Sequence, residues 1–216
     1  LVPKPDALSF EAACTLPITW STVHAAFGGA KLRYGQNALL HAAAGGVGLV
    51  AVEYAHWLGV TNLTTAGRPY KQRLVGELGA ISNSLNSISL SSSRDGAAFA
   101  HGAARALGGC RLAMVLNSLS ADFISTSAAL LGEGGGFEEI GKRGVFSQAR
   151  MRAARFVAAL GDSSSDIGED DPHTISYDVL AIDDDMHRDP PWMQRTLRTL
   201  AARAAARVLH GLPTQV

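Results

Sequence analysis

Ala43-Ala44-Gly45-Gly46-Val47-Gly48 follows a short apolar run and opens a stretch with apolar residues at helical spacing. This is the pattern G-x-G-x-x-G with Ala43 in place of its first glycine, in the strand-to-helix context that gives the pattern meaning. Gly45 lets backbone approach a diphosphate with no Cβ in the way, and Gly48 lets the helix pack closely on the strand. The amides of Gly46, Val47 and Gly48 then point at a ligand, and the helix dipole favours its negative charge. A dinucleotide-binding turn is one reading and a plain tight turn is the other. About 20 residues further on, where an acid would accept from a ribose 2′-hydroxyl, stands Gly67-Arg68-Pro69-Tyr70-Lys71. A carboxylate there would repel a 2′-phosphate. Arg68 can grip one in a fork and Lys71 can supply a point charge, a pair expected to favour NADPH over NADH; ordinary surface cations at a helix end are the other reading. Each charge-assisted bond contributes roughly 1.5–3 kcal/mol.

The elements that must position these groups alternate. Strands are expected at Asn37–Ala42, Asn62–Ala66, Ile88–Ser91, Leu112–Leu116, Phe137–Ile140 and Thr174–Ile182. Helices are expected at Leu49–Leu58, Pro69–Leu78, Asp95–Leu107 and Asp122–Leu131. Strands alternating with helices of about ten residues imply a parallel sheet covered on both faces. Ahead of them, Ser9 caps a short helix over Phe10–Thr15, and Pro17 opens a second one that Gly28 and Gly29 stop. At the other end Asp189-Pro190 caps a long helix whose Met193, Leu197, Leu200, Ala204 and Val208 follow the 3.6-residue period, an apolar face expected on the sheet. The serine-rich 82–93 and the acidic 161–171 are read as surface loops.

Composition narrows the functions. With 216 residues and 47% of them hydrophobic, the chain can bury a real core. Nineteen basic and nineteen acidic side chains cancel, which leaves no electrostatic footprint for nucleic acid or an anionic membrane. No apolar run is long enough to span a bilayer, and no leader peptide is expected at Leu1–Asp6. Cys14 and Cys110 form no CxxC and are expected as small buried hydrophobes in a reducing compartment. The seven histidines lack metal spacing, so no metal site is expected. His41 reads as a structural strand residue.

Six stretches together carry a family likeness. They are Thr15-Leu-Pro-Ile-Thr-Trp-Ser-Thr-Val-His24, His41-Ala-Ala-Ala-Gly-Gly-Val-Gly48, Thr65-Ala-Gly-Arg-Pro-Tyr-Lys71, Ser93-Arg-Asp95, Val115-Leu-Asn-Ser-Leu-Ser120 and Phe137-Glu-Glu-Ile-Gly-Lys142. In order and spacing the chain resembles the enoyl reductase domain of modular polyketide synthases and animal-type fatty acid synthases. Those domains form a zinc-free, quinone-oxidoreductase-like branch of the medium-chain dehydrogenase/reductase superfamily. The resemblance implies a Rossmann-type doubly wound α/β sheet of about six strands in the order 3-2-1-4-5-6. It implies that Gly45, Gly46, Val47 and Gly48 hold the pyrophosphate of NADPH. Gly67, Arg68 and Lys71 would bind the 2′-phosphate, with Ser93 and Arg94 closing the adenosine end. Asn117, Ser118 and Leu119 would lie at the sheet's carboxyl edge, and Thr22, Ile140 and Gly141 near the nicotinamide.

The same likeness makes Lys142 a candidate proton donor to the substrate α-carbon, with Asp183 as its partner; a structural ion pair is the other reading of these two. An unperturbed lysine pKa of about 10.4 would need a nearby acid or desolvation to suit that task. The implied reaction is NADPH-dependent reduction of an α,β-enoyl thioester on the phosphopantetheine of an acyl carrier protein, in the cytoplasm, among the other domains of a megasynthase. Whether the chain pairs as a homodimer is left open. Residues 1–30 are expected as a lead-in segment with hinge helices and 31–216 as the NADPH-binding subdomain. The substrate-binding subdomain is expected to be absent from this chain, so the chain alone should turn over little substrate. Gly144 stands where many relatives carry aspartate. A free-standing quinone or enone reductase and a non-catalytic megasynthase scaffold are the rival readings.

Overall fold

The computed structural model describes residues 2–81, 89–119, 122–140 and 175–212. Within them the chain runs α1 (Phe10–Cys14), α2 (Pro17–Gly29), β1 (Asn37–Leu40), α3 (Gly46–Leu58), β2 (Thr61–Ala66), α4 (Pro69–Ile81), β3 (Ser89–Ser92), α5 (Gly96–Leu107), β4 (Leu112–Asn117), α6 (Asp122–Ala129), β5 (Leu131–Ile140), β6 (Ser176–Leu180), α7 (Ile182–Arg188) and α8 (Pro190–Ala205). The strands form one six-stranded sheet in the order β3-β2-β1-β4-β5-β6. Every neighbouring pair is parallel. This is the doubly wound Rossmann-type fold expected, with its direction of winding reversing between β1 and β4.

Local chemistry sets the element ends. Ser9 accepts from the Ala12 amide at the start of α1, Asp95 from Ala98 at the start of α5, and Asp189 from Trp192 at the start of α8. Gly59 ends α3 at φ 70° and Gly108 ends α5 at φ 55°, left-handed positions that favour glycine. Because the strands are covered on both faces, the sheet divides two cores. On one side Ala38, Leu40, Met114 and Leu116 pack with Trp20, Val23, Phe27, Val50 and Tyr54 of α2 and α3. On the other Leu39, Leu63, Val115 and Phe137 pack with Phe99, Leu107 and Ile124 of α5 and α6.

Several expectations change. β5 begins at Leu131, six residues before Phe137, because Leu131 pairs with Leu112 and a register shift then brings Gly136 opposite Met114. Ile182–Arg188 is a helix of its own, not the end of the last strand. α8 lies against α2, and Leu200 and Ala204 join the α2–α3 core without resting on the sheet; Val208 lies past the helix end and is exposed. Cys14 and Cys110 are exposed free thiols, not buried hydrophobes. Cys14 ends a five-residue helix that buries nothing, and Cys110 follows the Gly108-Gly109 turn. The acidic stretch 161–171 lies outside the described residues.

Candidate cofactor-binding site

The β1–α3 turn is built by short-range bonds. Ala42 adopts φ +49°, a left-handed conformation costly for a residue with a Cβ. Its amide donates to the Thr65 hydroxyl at 3.1 Å, and the Ala43 amide to the Thr65 carbonyl at 2.9 Å. Gly45 then closes the turn by donating to the Ala42 carbonyl at 2.9 Å. Gly45 is an extended N-cap with no side-chain bond, so Gly46, Val47 and Gly48 begin α3 with no helical carbonyl ahead of their amides. Gly48 is buried, and a Cβ there would lie 2.5 Å from the Ala43 Cα and 2.6 Å from the Ala42 carbonyl. Gly45 and Gly46 face outward. A Cβ on Gly46 would sit 3.3 Å from the Thr19 methyl. The turn therefore presents bare amides at the winding reversal of the sheet, the place where a diphosphate fits.

The next strand end gathers the predicted adenosine group. A Cβ on Gly67 would lie 2.9 Å from both the Ser93 hydroxyl and Arg94 Nε, so the ends of β2 and β3 meet there. Arg68 and Arg94 are exposed and Lys71 is half-buried. Among the described residues none of the three forms an ion pair. Three cations and no paired carboxylate suit an added phosphate ester.

At the β4 end Asn117, Ser118 and Leu119 lie at the carboxyl edge of the sheet. Asn117 is fully buried; its amide donates to Glu139 Oε2 at 2.7 Å and to the Leu119 carbonyl at 2.9 Å, while its own oxygen accepts from the Leu119 amide at 3.2 Å. Its side chain thus braces the loop. Ser118 is exposed beside it, with Leu119 half-buried. Thr22 is buried in α2 and its hydroxyl donates to the Ile18 carbonyl at 2.8 Å. Ile140 ends β5, half-buried. Asp183 is exposed in the first turn of α7, and its carbonyl accepts from the His187 ring. Gly141 and Lys142 lie outside the described residues.

Two buried polar groups to which the sequence gave no site role, His41 and Glu138, lie just beneath this edge. His41 is buried and held on both ring nitrogens, Nδ1 at 3.1 Å from the Thr65 hydroxyl and Nε2 at 2.8 Å from the Ser127 hydroxyl. Desolvation lowers its pKa to about 3, so the ring is neutral. Glu138 is buried with neither carboxyl oxygen hydrogen-bonded; burial first, and then Asp178 opposite it on β6, raises its pKa to about 8. A polar residue inside a strand whose neighbours are all buried was the available signal for both His41 and Glu138. Thr65 and Ser127 gave none, because their partners lie far along the chain. Among the described residues no group of side chains could hold a metal, and no helix is long and apolar enough to cross a membrane.

No protein-family model matches the chain. The highly reducing polyketide synthase curS1 of Aspergillus terreus is 40% identical over 148 residues, 68% of this chain and 6% of that protein. The chain thus spans a small fraction of the length of the curated relatives it matches. The crystal structure of CurK enoyl reductase superimposes on 99% of the chain with TM-score 0.80 at 30% identity, the match covering 57% of that structure. The nucleotide-binding subdomain of the enoylreductase domain of PpsC from Mycobacterium tuberculosis matches with TM-score 0.71 at 25% identity, over 91% of this chain and 97% of that one.

Proposed function

Since the chain belongs to the enoyl reductase domains of polyketide synthases, we propose that it is the NADPH-binding subdomain of such a domain. Residues 1–30 serve as its lead-in and hinge helices and 31–216 as the cofactor-binding body. The substrate-binding subdomain lies outside this chain, a reading supported by the match covering 57% of the CurK structure and 97% of the isolated PpsC subdomain. The observation that carries the reading is the β1–α3 turn, whose crowding admits only hydrogen at Gly48, together with the cations around Gly67.

Bound NADPH supplies the hydride that reduces the α,β-double bond of an enoyl thioester. The chain's own residues bind and orient. The amides of Gly46, Val47 and Gly48 take the diphosphate charge at the N-terminus of α3. Arg68 and Lys71 hold the 2′-phosphate, and Ser93 and Arg94 close over the adenosine side of Gly67. Ser118 and Leu119, on the loop braced by Asn117 and Glu139, line the path toward the nicotinamide with Thr22, Ile140 and Gly141. Lys142 holds the proton destined for the α-carbon, with Asp183 setting its affinity. The enoyl group arrives on the phosphopantetheine of an acyl carrier protein within a cytoplasmic megasynthase.

Calorimetry with NADPH and NADH on the wild type and on Arg68→Ala/Lys71→Ala tests this. Tighter NADPH binding by the wild type, with most of the preference lost in the variant, is expected. Equal affinities before and after the change would reject the cofactor assignment.

A further inference from the structure

We infer that His41 is a positioning residue for the diphosphate turn: through Thr65 it fixes Ala42 in its left-handed conformation, and through Ser127 it ties that turn to α6. The inference rests on the cofactor reading above and adds residues to the same site. The Thr65 hydroxyl is fully buried at the end of β2 and does two things at once. It accepts from the Ala42 amide at 3.1 Å and meets His41 Nδ1 at 3.1 Å. A buried hydroxyl also needs an acceptor for its own proton, and Nδ1 is the acceptor within reach. That choice leaves the imidazole proton on Nε2, where it donates to the Ser127 hydroxyl at 2.8 Å. The chain of donors therefore runs from the Ala42 amide to Thr65, and separately from Thr65 through His41 to Ser127.

The packing leaves the ring little room to turn. Phe99 lies 5.3 Å and Phe123 5.9 Å from it, centroid to centroid, on the α5 and α6 side of the sheet. A fixed ring fixes the Thr65 rotamer, and a fixed Thr65 lone pair fixes the Ala42 amide. Without that bond, the strain at φ +49° would be relieved by the peptide turning away. The carbonyl of Ala42 closes the turn at Gly45 and lies under Gly48. Its rotation would therefore swing the amides of Gly46 to Gly48 away from the diphosphate. The adenosine end, at Gly67, Ser93 and Arg94, is built on the main chain that follows β2 and β3; among the described residues the Thr65 hydroxyl bonds only Ala42 and His41, so its loss would leave that end in place.

This separation gives the test. NADPH spans both ends, whereas adenosine 2′-monophosphate has only the group that Arg68 and Arg94 face. Affinities for both are measured on wild type, Thr65→Val, Thr65→Ser and His41→Phe, with thermal unfolding alongside. Thr65→Val and His41→Phe are expected to weaken NADPH about tenfold while changing adenosine 2′-monophosphate less than about twofold. Thr65→Ser, which keeps the hydroxyl but loses a buried methyl, is expected to lower the melting temperature yet keep NADPH affinity. If Thr65→Val and His41→Phe do not fold, Ser127→Ala should still weaken NADPH about threefold and spare the smaller ligand. Parallel losses of both ligands, or unchanged NADPH affinity, would overturn the positioning role while leaving the cofactor reading intact. A wild type that binds neither ligand would overturn both.

Discussion

Replacing Glu138 should stabilise the protein, and the size of the gain should depend on pH. The carboxyl sits in β5 beneath the end of α2, where a Cβ on Gly29 would lie only 3.3 Å from its oxygen, and no donor among the described residues reaches it. Its pKa rises from 4.5 to about 8 in the fold. The folded state thus keeps a proton that the unfolded chain gives up. The penalty is absent below about pH 4.5, grows as pH rises, and levels off above about pH 8. Each pH unit inside that window costs about 1.36 kcal/mol, so the penalty at pH 7 is about 3 kcal/mol. Glu138→Leu removes the titration and fills the space with apolar atoms. Glu138→Gln removes the titration but leaves a buried amide to be satisfied. Urea unfolding at several pH values between 5 and 8, followed by tryptophan fluorescence, reads this directly. The wild type should lose about 3 kcal/mol relative to Glu138→Leu across that range, with the Glu138→Gln curve parallel to that of Glu138→Leu but less stable. Wild type and Glu138→Leu curves that stay parallel from pH 5 to 8 would refute the reasoning, because they would mean the carboxyl finds water or a donor in the fold.

Other outcomes follow from the same geometry. Gly48→Ala should cost about 3 kcal/mol in urea unfolding, since its Cβ would overlap the Ala43 Cα at 2.5 Å, whereas Gly28→Ala, with nothing within 4 Å, should gain about 0.5–1 kcal/mol. On the acid side, neutral His41 should make the wild type lose about 2 kcal/mol relative to His41→Phe between pH 6.5 and 5, because the unfolded ring takes up a proton that the folded one, with its pKa lowered to about 3, refuses. Wild-type and His41→Phe curves that stay parallel over that range in the same unfolding assay would contradict this. Steady-state assays of enone reduction by the 216-residue chain alone should show little or no turnover; brisk reduction would contradict the placement of the substrate-binding half outside it.

The sheet was readable because its punctuation is local. Gly45 to Gly48 mark the β1–α3 turn, Asp95 and Gly108 bracket α5, and Leu112–Leu116 is too apolar and short for anything but a covered strand. β5 was misjudged at its start because Gly132 and Gly134 to Gly136 look like loop. In the fold a Cβ on Gly135 would lie 2.9 Å from the Gly132 carbonyl and one on Gly136 3.1 Å from the Ala30 Cβ, so both are close-packed in the strand. α7 carried its signal, three acids in the first turn and His187 and Arg188 in the last, but it is only seven residues long. At the site, the glycine turn and the cations announced themselves by type and spacing. The bonds from His41 to Thr65 and Ser127 did not, because they join residues 24 and 86 positions apart. Nor could the bracing bond from Asn117 to Glu139 be read from sequence, since it joins residues 22 positions apart.

The first and last described helical regions are stitched together beside the glycine turn. Ala12 touches Gly211, the Thr15 hydroxyl accepts from the Leu212 amide at 3.2 Å, and Thr19 and Leu212 both flank Gly46. Mechanically this is a single pivot shared by two crossing segments. A side chain added at Gly46 would therefore press on both segments at once, 3.3 Å from the Thr19 methyl and 3.4 Å from Leu212.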